Sequence, residues 1–281
     1  MVRIIPRLDI KGPNLVKGIH LEGLRVLGKP EEFARYYYEA GADELIYVDV
    51  VASLYGRNSL LPIIEKTAQE IFIPLTVGGG LRTIEDIKTV LRAGADKVAL
   101  NTAVINRPEL ISEASKKFGS STIVVNVEAI KQSDGRYLAY TDNGREYTGI
   151  DVFEWVVRVT ELGAGEILLT SVDREGTGEG YDLILTKKVA ELVPIPVIAS
   201  GGAGRVEHVS QVINEGRADA VAIASLLHYE TIKRGDSTKF LVNDEGNTEY
   251  LKSGRGFTKI KEIDLLGIKR YLHQKGIECR Q

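Results

Sequence analysis

The sequence predicts an α/β protein, namely a (β/α)8 TIM barrel made of two similar halves. Three observations predict this fold: eight short apolar segments, helical segments between them, and an internal repeat. The chain has 281 residues, 43% of them hydrophobic, which is enough to bury one large core. Its formal net charge is only −3, so composition gives no reason to expect nucleic acid or a membrane surface as a partner.

Predicted strands and helices alternate along the whole chain. The strands are runs rich in β-branched residues, at positions 2–10, 44–50, 73–77, 97–100, 122–127, 166–171, 196–199 and 218–223. Nearly continuous apolar runs are typical of parallel strands covered on both faces. Helical periodicity occupies the intervals 30–40, 60–71, 84–93, 108–118, 151–162, 183–192 and 206–215. This alternation favours a parallel sheet, either closed as a barrel or open and doubly wound.

An internal repeat favours the barrel over the open sheet. Residues 44–49 align with residues 166–171, an offset of 166 − 44 = 122 positions, and residues 73–80 align with 195–202 at the same offset. Two halves of four βα units each can close on one another with approximate twofold symmetry. An open sheet would not place equivalent loops on one rim.

We expect a single barrel domain over residues 1–281, with one insertion. Residues 229–261 look inserted before the last helix, and their polar, glycine-containing sequence predicts a hairpin or loop. Within it, residues 239–242 are predicted to pair with residues 248–251.

Two equivalent strand ends carry glycine-rich turns. Gly78-Gly79-Gly80 follows the third strand and Ser200-Gly201-Gly202 follows the seventh, each before a helix. Glycine allows an anion to approach the backbone, and a helix N-terminus supplies N–H donors. The fourth and eighth strands end in small or polar residues, namely Asn101, Thr102, Ala224 and Ser225. The glycines could form tight turns only, but their repetition predicts two opposed phosphate pockets and a ligand with a phosphate at each end.

A pair of acids follows the same repeat. Asp9 ends the first strand and Glu128 ends the fifth, so both are predicted at the barrel mouth, where TIM barrels carry their chemistry. Paired carboxylates suit general acid–base catalysis, although either acid could instead form a salt bridge with a lysine such as Lys11. Lys17 lies in a long glycine-bounded first loop that is predicted to close over a phosphate. Further polar candidates on this rim are Asp49, Asp173, Glu175 and Asp182.

No metal or cofactor site is predicted. Cys279 is the only cysteine, and His20 and His228 stand apart from any ligand-like cluster, so neither histidine is predicted to be catalytic. The single thiol favours a reducing, cytoplasmic location, and the first residues do not read as a signal peptide.

Several motifs together resemble the HisF family, the cyclase subunit of imidazole glycerol phosphate synthase. The resemblance covers residues 1–228 and the last helix, and it is carried by the segments Ile4-Ile5-Pro6, Leu8-Asp9-Ile10-Lys11, Val16-Lys17-Gly18, Val77-Gly78-Gly79-Gly80, Gly94-Ala95-Asp96-Lys97-Val98, Asn101-Thr102-Ala103, Gly163-Ala164-Gly165-Glu166-Ile167-Leu168-Leu169-Thr170-Ser171 and Ala199-Ser200-Gly201-Gly202-Ala203-Gly204. The sister isomerase family shares the half-barrel repeat but lacks the stretch at residues 163–171.

The resemblance implies a lyase of histidine biosynthesis that uses ammonia. Its substrate would be a bisphosphorylated ribulosyl-formimino aminoimidazole carboxamide nucleotide, and its products imidazole glycerol phosphate and aminoimidazole carboxamide ribotide. Asp9 would be the main acid–base group, assisted by Glu128. The expected phosphate- and substrate-binding residues are Lys17, Gly80, Asn101, Thr102, Asp173, Glu175, Gly176, Ser200, Gly201, Gly202, Ala224 and Ser225.

The resemblance also implies a partner. A HisH-like glutaminase would dock on the N-terminal face of the barrel and pass ammonia through it. A charged gate at that face would consist of Arg3, Glu44, Lys97 and Glu166. These four residues could equally form a salt-bridged plug of the barrel floor.

Four positions depart from the family pattern. Arg7 stands where the family usually has cysteine, Asn126 where it tends to have a small residue, and Glu128 and Glu175 where it has aspartate. Residues alternate faces along a strand, so Arg7 is predicted one layer below Asp9, with either Asp9 or Glu128 as its partner. Such a pair would lower the pKa of Asp9 and narrow an ammonia path along the axis.

These departures leave two alternatives open. The chain could be a HisF paralogue that delivers ammonia to another phosphorylated or nucleotide-sugar acceptor. It could also be a non-catalytic barrel that binds a phosphorylated ligand.

Overall fold

The computed structural model describes residues 1–52, 60–234 and 259–280. The strands in these ranges are β1 (Arg3–Lys11), β2 (Asn14–Ile19), β3 (Glu22–Gly28), β4 (Leu45–Asp49), β5 (Leu75–Gly78), β6 (Lys97–Leu100), β7 (Ile123–Lys131), β8 (Tyr137–Thr141), β9 (Glu146–Asp151), β10 (Glu166–Ser171), β11 (Val197–Ser200) and β12 (Ala220–Ile223). The helices are α1 (Pro30–Glu39), α2 (Leu61–Ala68), α3 (Ile84–Arg92), α4 (Thr102–Asn106), α5 (Glu109–Phe118), α6 (Val152–Glu161), α7 (Leu183–Leu192), α8 (Val206–Asn214), α9 (Ser225–Arg234) and α10 (Leu265–Gln274).

Eight parallel strands close into a barrel, which confirms the predicted fold class. Their order is β1-β4-β5-β6-β7-β10-β11-β12, and β12 pairs back with β1. In this closed order β5 and β11 lie four strands apart, on opposite sides of the barrel. The two glycine-rich turns that follow these strands therefore face each other across the mouth.

Each half also carries an antiparallel hairpin at the mouth. Strands β2 and β3 extend the end of β1, and β8 and β9 extend the end of β7 in the same way. The segment around Lys17 and Gly18 was predicted as a long loop, and this prediction was wrong because the segment pairs as a hairpin with irregular register at two places. The hairpins repeat the twofold symmetry of the halves.

Side chains alternate along β1, and this alternation determines which of its residues face the interior of the barrel. Ile5 packs inside the barrel with Ile46, Val124, Leu168 and Ile198. A much larger apolar cluster lies between the barrel and the helices, and it contains the outward-facing residues of β1 such as Ile4 and Leu8. Arg3, Arg7 and Asp9 share the inward face of Ile5, so they form successive layers from the barrel floor to its mouth.

The predicted insertion is described only at its ends. Residues 229–234 belong to the regular helix α9 rather than to a polar loop. The proposed pairing of residues 239–242 with 248–251 lies outside the described residues. The chain returns at the C-terminal rim of the barrel, where the Lys261 amide donates to the Gly204 carbonyl at 2.7 Å. None of the helices in the described ranges is long and apolar enough to span a membrane.

Candidate active site

Asp9 lies at the mouth in contact with two cations. Arg7 Nε donates to Asp9 Oδ1 at 3.0 Å, and Lys17 Nζ lies 3.6 Å from Asp9 Oδ2. Burial alone raises the pKa of the Asp9 carboxyl, but Arg7 and Lys17 outweigh it and hold this pKa below its usual value. Asp9 is therefore an ionised carboxylate, and while both ion pairs are intact it is a weaker base than a free aspartate.

Arg7 fills the layer of the barrel just below the mouth. Its side chain is 1% exposed, and its Nη1 donates to Thr170 Oγ1 at 2.9 Å and to Ser200 Oγ at 3.0 Å. The inward positions Ala220 and Ala222 of the adjacent strand β12 are small, which leaves room for this long side chain. Of the two partners predicted for Arg7, the structure shows an ion pair with Asp9.

Lys17 is held by acids rather than exposed in a loop. Its ammonium forms an ion pair with Glu175, and both side chains are buried. The turn of the first hairpin also contacts this region, because the His20 amide donates to the Glu175 carbonyl at 2.8 Å. The hairpin thus lies against the loop after β10, on the side of the second glycine-rich turn.

Glu128 lies in a different electrostatic environment from Asp9. Its Oε2 accepts from the Gly144 amide at 2.8 Å, and its Oε1 accepts from Asn126 Nδ2 at 3.3 Å. Burial raises the pKa of Glu128 to about 7, since the Gly144 amide, the charge of Arg7 and the side chain of Asn101 compensate only part of the desolvation. Near neutral pH Glu128 is therefore partly protonated and suited to donate a proton.

A chain of hydrogen bonds connects the two acids below the mouth. From Asp9 it passes through Arg7 to Thr170, whose hydroxyl donates to Asn126 Oδ1 at 3.4 Å, and Asn126 then donates to Glu128. The three departures Arg7, Asn126 and Glu128 thus form one connected network, as their positions on β1 and β7 predicted.

The first glycine-rich turn opens into a cavity of about 300 Å3. Gly79 and Gly80 line it with positive φ values of 100° and 70°, and Asn101 and Thr102 line it from the end of β6. Glu128 borders the same cavity. The predicted glycine and small polar residues of the first half are therefore brought together beside a candidate acid.

The second glycine-rich turn borders a much smaller cavity of about 10 Å3. Its lining includes the five residues predicted for the second phosphate pocket, namely Ser200, Gly201, Gly202, Ala224 and Ser225, and also Glu175, Gly176 and Arg7. The cavity is large enough for about one water molecule and too small for a phosphate. Lys17, which was also predicted to contact a phosphate, lines a separate cavity instead.

Three of the predicted rim acids accept hydrogen bonds from backbone amides, and two of them, Asp173 and Asp182, line neither of the two cavities. Asp173 Oδ2 accepts from the Lys131 amide at 2.7 Å, and Asp182 Oδ1 caps α7 by accepting from the Leu185 amide at 2.9 Å. Asp49 accepts from the Val51 amide at 3.1 Å, although it does line the first cavity. A role of Asp173 in binding substrate stays a prediction.

The four predicted gate residues form a ring at the barrel floor. Arg3 lies 2.7 Å from Glu44 and 3.1 Å from Glu166, and Lys97 lies 3.1 Å and 2.8 Å from the same two acids. Each charge therefore has two partners of opposite sign. The ring closes the bottom of the barrel with polar atoms.

One residue of the site was not anticipated from the sequence. Asn143 lines the first cavity from the turn between β8 and β9, with a φ of 66°. Its Nδ2 is buried without a hydrogen-bond partner among the described residues. The run Asp142-Asn143-Gly144 is a typical hairpin turn, so the signal was present in the sequence.

The two histidines support neighbouring elements. His228 is fully buried between the hydroxyl of Tyr37 at 2.6 Å and the carbonyl of Arg7 at 2.9 Å, and burial lowers its pKa to about 3. His20 Nδ1 lies 3.0 Å from the Val172 carbonyl.

Comparison with known proteins decides the family. The family model described as "Histidine biosynthesis protein" matches residues 3–233. The chain is also 59% identical to the imidazole glycerol phosphate synthase subunit HisF of Legionella pneumophila over 206 residues, which cover 73% of this chain and 97% of that protein. The chain belongs to the HisF family. As a HisF-family barrel it carries both opposed glycine-rich turns and both mouth acids.

Proposed function

We propose that this HisF-family chain is the ammonia-dependent cyclase of imidazole glycerol phosphate synthase. It would convert the bisphosphorylated ribulosyl-formimino aminoimidazole carboxamide nucleotide and ammonia to imidazole glycerol phosphate, aminoimidazole carboxamide ribotide and water, because ring closure onto the ketone carbon of the ribulosyl group expels its oxygen. The observation that carries the proposal is the pair Asp9 and Glu128, which lie between two opposed glycine-rich turns and have pKa values displaced in opposite directions.

The substrate would span the mouth with one phosphate at each turn. Backbone N–H groups of Gly79 and Gly80 would hold one phosphate, and those of Gly201 and Gly202 the other. This arrangement fixes the reacting centre of the substrate between Asp9 and Glu128 without requiring a basic protein surface.

The two acids would then divide the proton transfers. Asp9, which is ionised, would take a proton from the nitrogen that ammonia contributes as it adds to the substrate. Glu128, with a pKa of about 7, would protonate the leaving nitrogen as the carboxamide ribotide departs. Each acid would end in the opposite protonation state, so proton exchange with water restores the site.

Ammonia would come from a HisH-like glutaminase on the N-terminal face. The ring of Arg3, Glu44, Lys97 and Glu166 lies at that end of the barrel and would admit ammonia at the floor. Above it, the Arg7 side chain lies across the layer through which ammonia must pass to reach Asp9.

Delivery of ammonia to a different phosphorylated acceptor is the alternative that the sequence departures at Arg7, Asn126 and Glu128 left open, and the comparisons do not favour it. Product analysis with ammonium salts distinguishes the two. Formation of imidazole glycerol phosphate supports the cyclase, whereas ammonia-dependent chemistry on another sugar phosphate alone supports the second candidate.

A further inference from the structure

The second cavity, beside the turn at Gly201 and Gly202, is lined by Arg7, whose Nη2 donor makes no hydrogen bond among the described residues. Arg7 lines this cavity together with Ser200, Gly201, Gly202 and Ser225. Its Nη2 is buried and has no hydrogen-bond partner among the described residues, although Nε and Nη1 are both paired. A buried guanidinium N–H without a partner is costly, so its retention points to a ligand that completes it.

The surroundings of this donor suit an anion. Gly201 and Gly202 have φ values of 96° and 107°, and a Cβ on either residue would collide with a backbone carbonyl oxygen. Helix α9 begins at Ser225 beside them and spans ten residues, so its first N–H groups point towards the same space. The carboxylate of Glu175 also lines the cavity, but Lys17 neutralises it.

A phosphate needs more room than about 10 Å3, so part of the lining must move for it to bind. Backbone at Gly201 and Gly202 is fixed by close packing against Ser171 and Gly180. The Arg7 side chain is the long, rotatable member of the lining, and hydroxyls hold its Nη1. A rotation of Arg7 would enlarge the cavity, and a phosphate bound there would replace the Asp9 carboxylate as the anionic partner that this rotation removes.

We propose that Arg7 is the anion-binding residue of the second pocket and that it rotates away from Asp9 when a phosphate binds there. The guanidinium then pairs with the phosphate through Nη2, so the phosphate replaces the Asp9 carboxylate as its anionic partner. Asp9 keeps Lys17 but loses its 3.0 Å contact with Arg7, so its carboxylate becomes available to the substrate only when the pocket is occupied. Arg7 thus acts as a positioning residue that couples phosphate binding to the release of Asp9. This inference rests on the proposed assignment of the pocket to a phosphate.

The test uses inorganic phosphate as the probe and the full chain. Isothermal titration calorimetry gives the number of phosphates per chain and their affinities, for wild type and for Arg7→Gln. We expect two sites in wild type, and in Arg7→Gln a loss of about tenfold or more in affinity at one of them, as expected for a lost charge-assisted hydrogen bond. Arg3→Gln is the matched control, since Arg3 lies on the same face of β1 at the barrel floor and should leave both sites unchanged.

Other outcomes overturn the inference. If Arg7 only plugs the pocket, Arg7→Gln will bind phosphate more tightly than wild type. If wild type binds a single phosphate, or if both sites survive in Arg7→Gln, Arg7 is not an anion-binding residue. Should Arg7→Gln fail to fold, Arg7→Lys keeps the charge but not the fork of donors, and the same loss at one site is expected.

These measurements do not depend on turnover. Loss of one phosphate site in Arg7→Gln with no cyclase activity in wild type would contradict the proposed function and leave the role of Arg7 standing. Cyclase activity in wild type with unchanged phosphate binding in Arg7→Gln would support the proposed function and contradict the role of Arg7.

Discussion

The guanidinium of Arg7 lies 3.0 Å from the carboxylate of Asp9, and both side chains are almost completely buried. A buried ion pair adds little stability relative to apolar residues of similar size, but the loss of one partner is strongly destabilising. The stability of the barrel therefore depends on whether Asp9 is ionised and on whether a bound anion replaces it as the partner of Arg7.

Asp9→Asn should destabilise the protein by about 3–5 kcal/mol, because it leaves Arg7 buried without a carboxylate. The double variant Arg7→Met with Asp9→Asn should lose less than the sum of the single variants. Urea unfolding of all four proteins gives the coupling energy. The exposed pair Asp134 and Arg136, 2.8 Å apart, is the control, and its cycle should show almost no coupling. Additive effects of Arg7 and Asp9 would show that the pair is not energetically linked.

Glu128 should make stability depend on pH with a definite sign. Its pKa is raised from 4.5 to about 7 in the folded state, so the folded protein binds the proton more tightly than the unfolded chain. This contribution is fully present below about pH 4.5 and is lost as pH rises through about 7. Glu128→Gln should remove the dependence and be more stable than wild type at pH 8, on the order of 1–3 kcal/mol. Thermal unfolding across this range checks the sign, and equal slopes for both proteins would contradict it.

Gly79 should not tolerate a side chain. Its φ is 100°, and a Cβ there would collide with the Asp49 carbonyl oxygen. Gly79→Ala should therefore distort the first cavity and weaken substrate binding at least tenfold, as measured by KM. Gly12→Ala is the control, because Gly12 also has a positive φ but has open space around its Cβ position. Equal losses in both variants would show that backbone strain alone matters.

The ring at the barrel floor should affect coupling to a glutaminase and not the cyclase chemistry. Glu166→Gln leaves Arg3 and Lys97 with one carboxylate instead of two. We expect its rate with ammonium salts to stay within about twofold of wild type, while its glutamine-dependent rate with a HisH-like partner falls. A parallel loss of both rates would assign the ring to the stability of the barrel only.

Sequence patterns predicted the barrel because periodicity and repetition are local properties of the chain. The strands at residues 97–100 and 166–171 coincide with β6 and β10, and the opposed glycine turns follow from the 122-residue offset. The hairpins were missed since β2 and β8 are only six and five residues long, and their pairing depends on the extended ends of β1 and β7.

The state of the site could be predicted only in part. The inward direction of Arg7 follows from alternation along β1, but the choice of Asp9 over Glu128 as its partner depends on which small residues surround it. The small volume of the second cavity depends on the side chain of Arg7, and a local sequence motif does not predict a cavity volume. The raised pKa of Glu128 likewise depends on burial beneath the hairpin of β8 and β9, whose turn signal at residues 142–144 was not used in the prediction.

The most direct test of the account is turnover of the ribulosyl-formimino nucleotide with ammonium salts and no glutaminase. The account predicts that wild type forms imidazole glycerol phosphate and the carboxamide ribotide in equal amounts, and that Asp9→Asn, although folded, forms neither. If wild type binds the nucleotide and never converts it, Asp9 and Glu128 do not perform this reaction and the cyclase proposal fails.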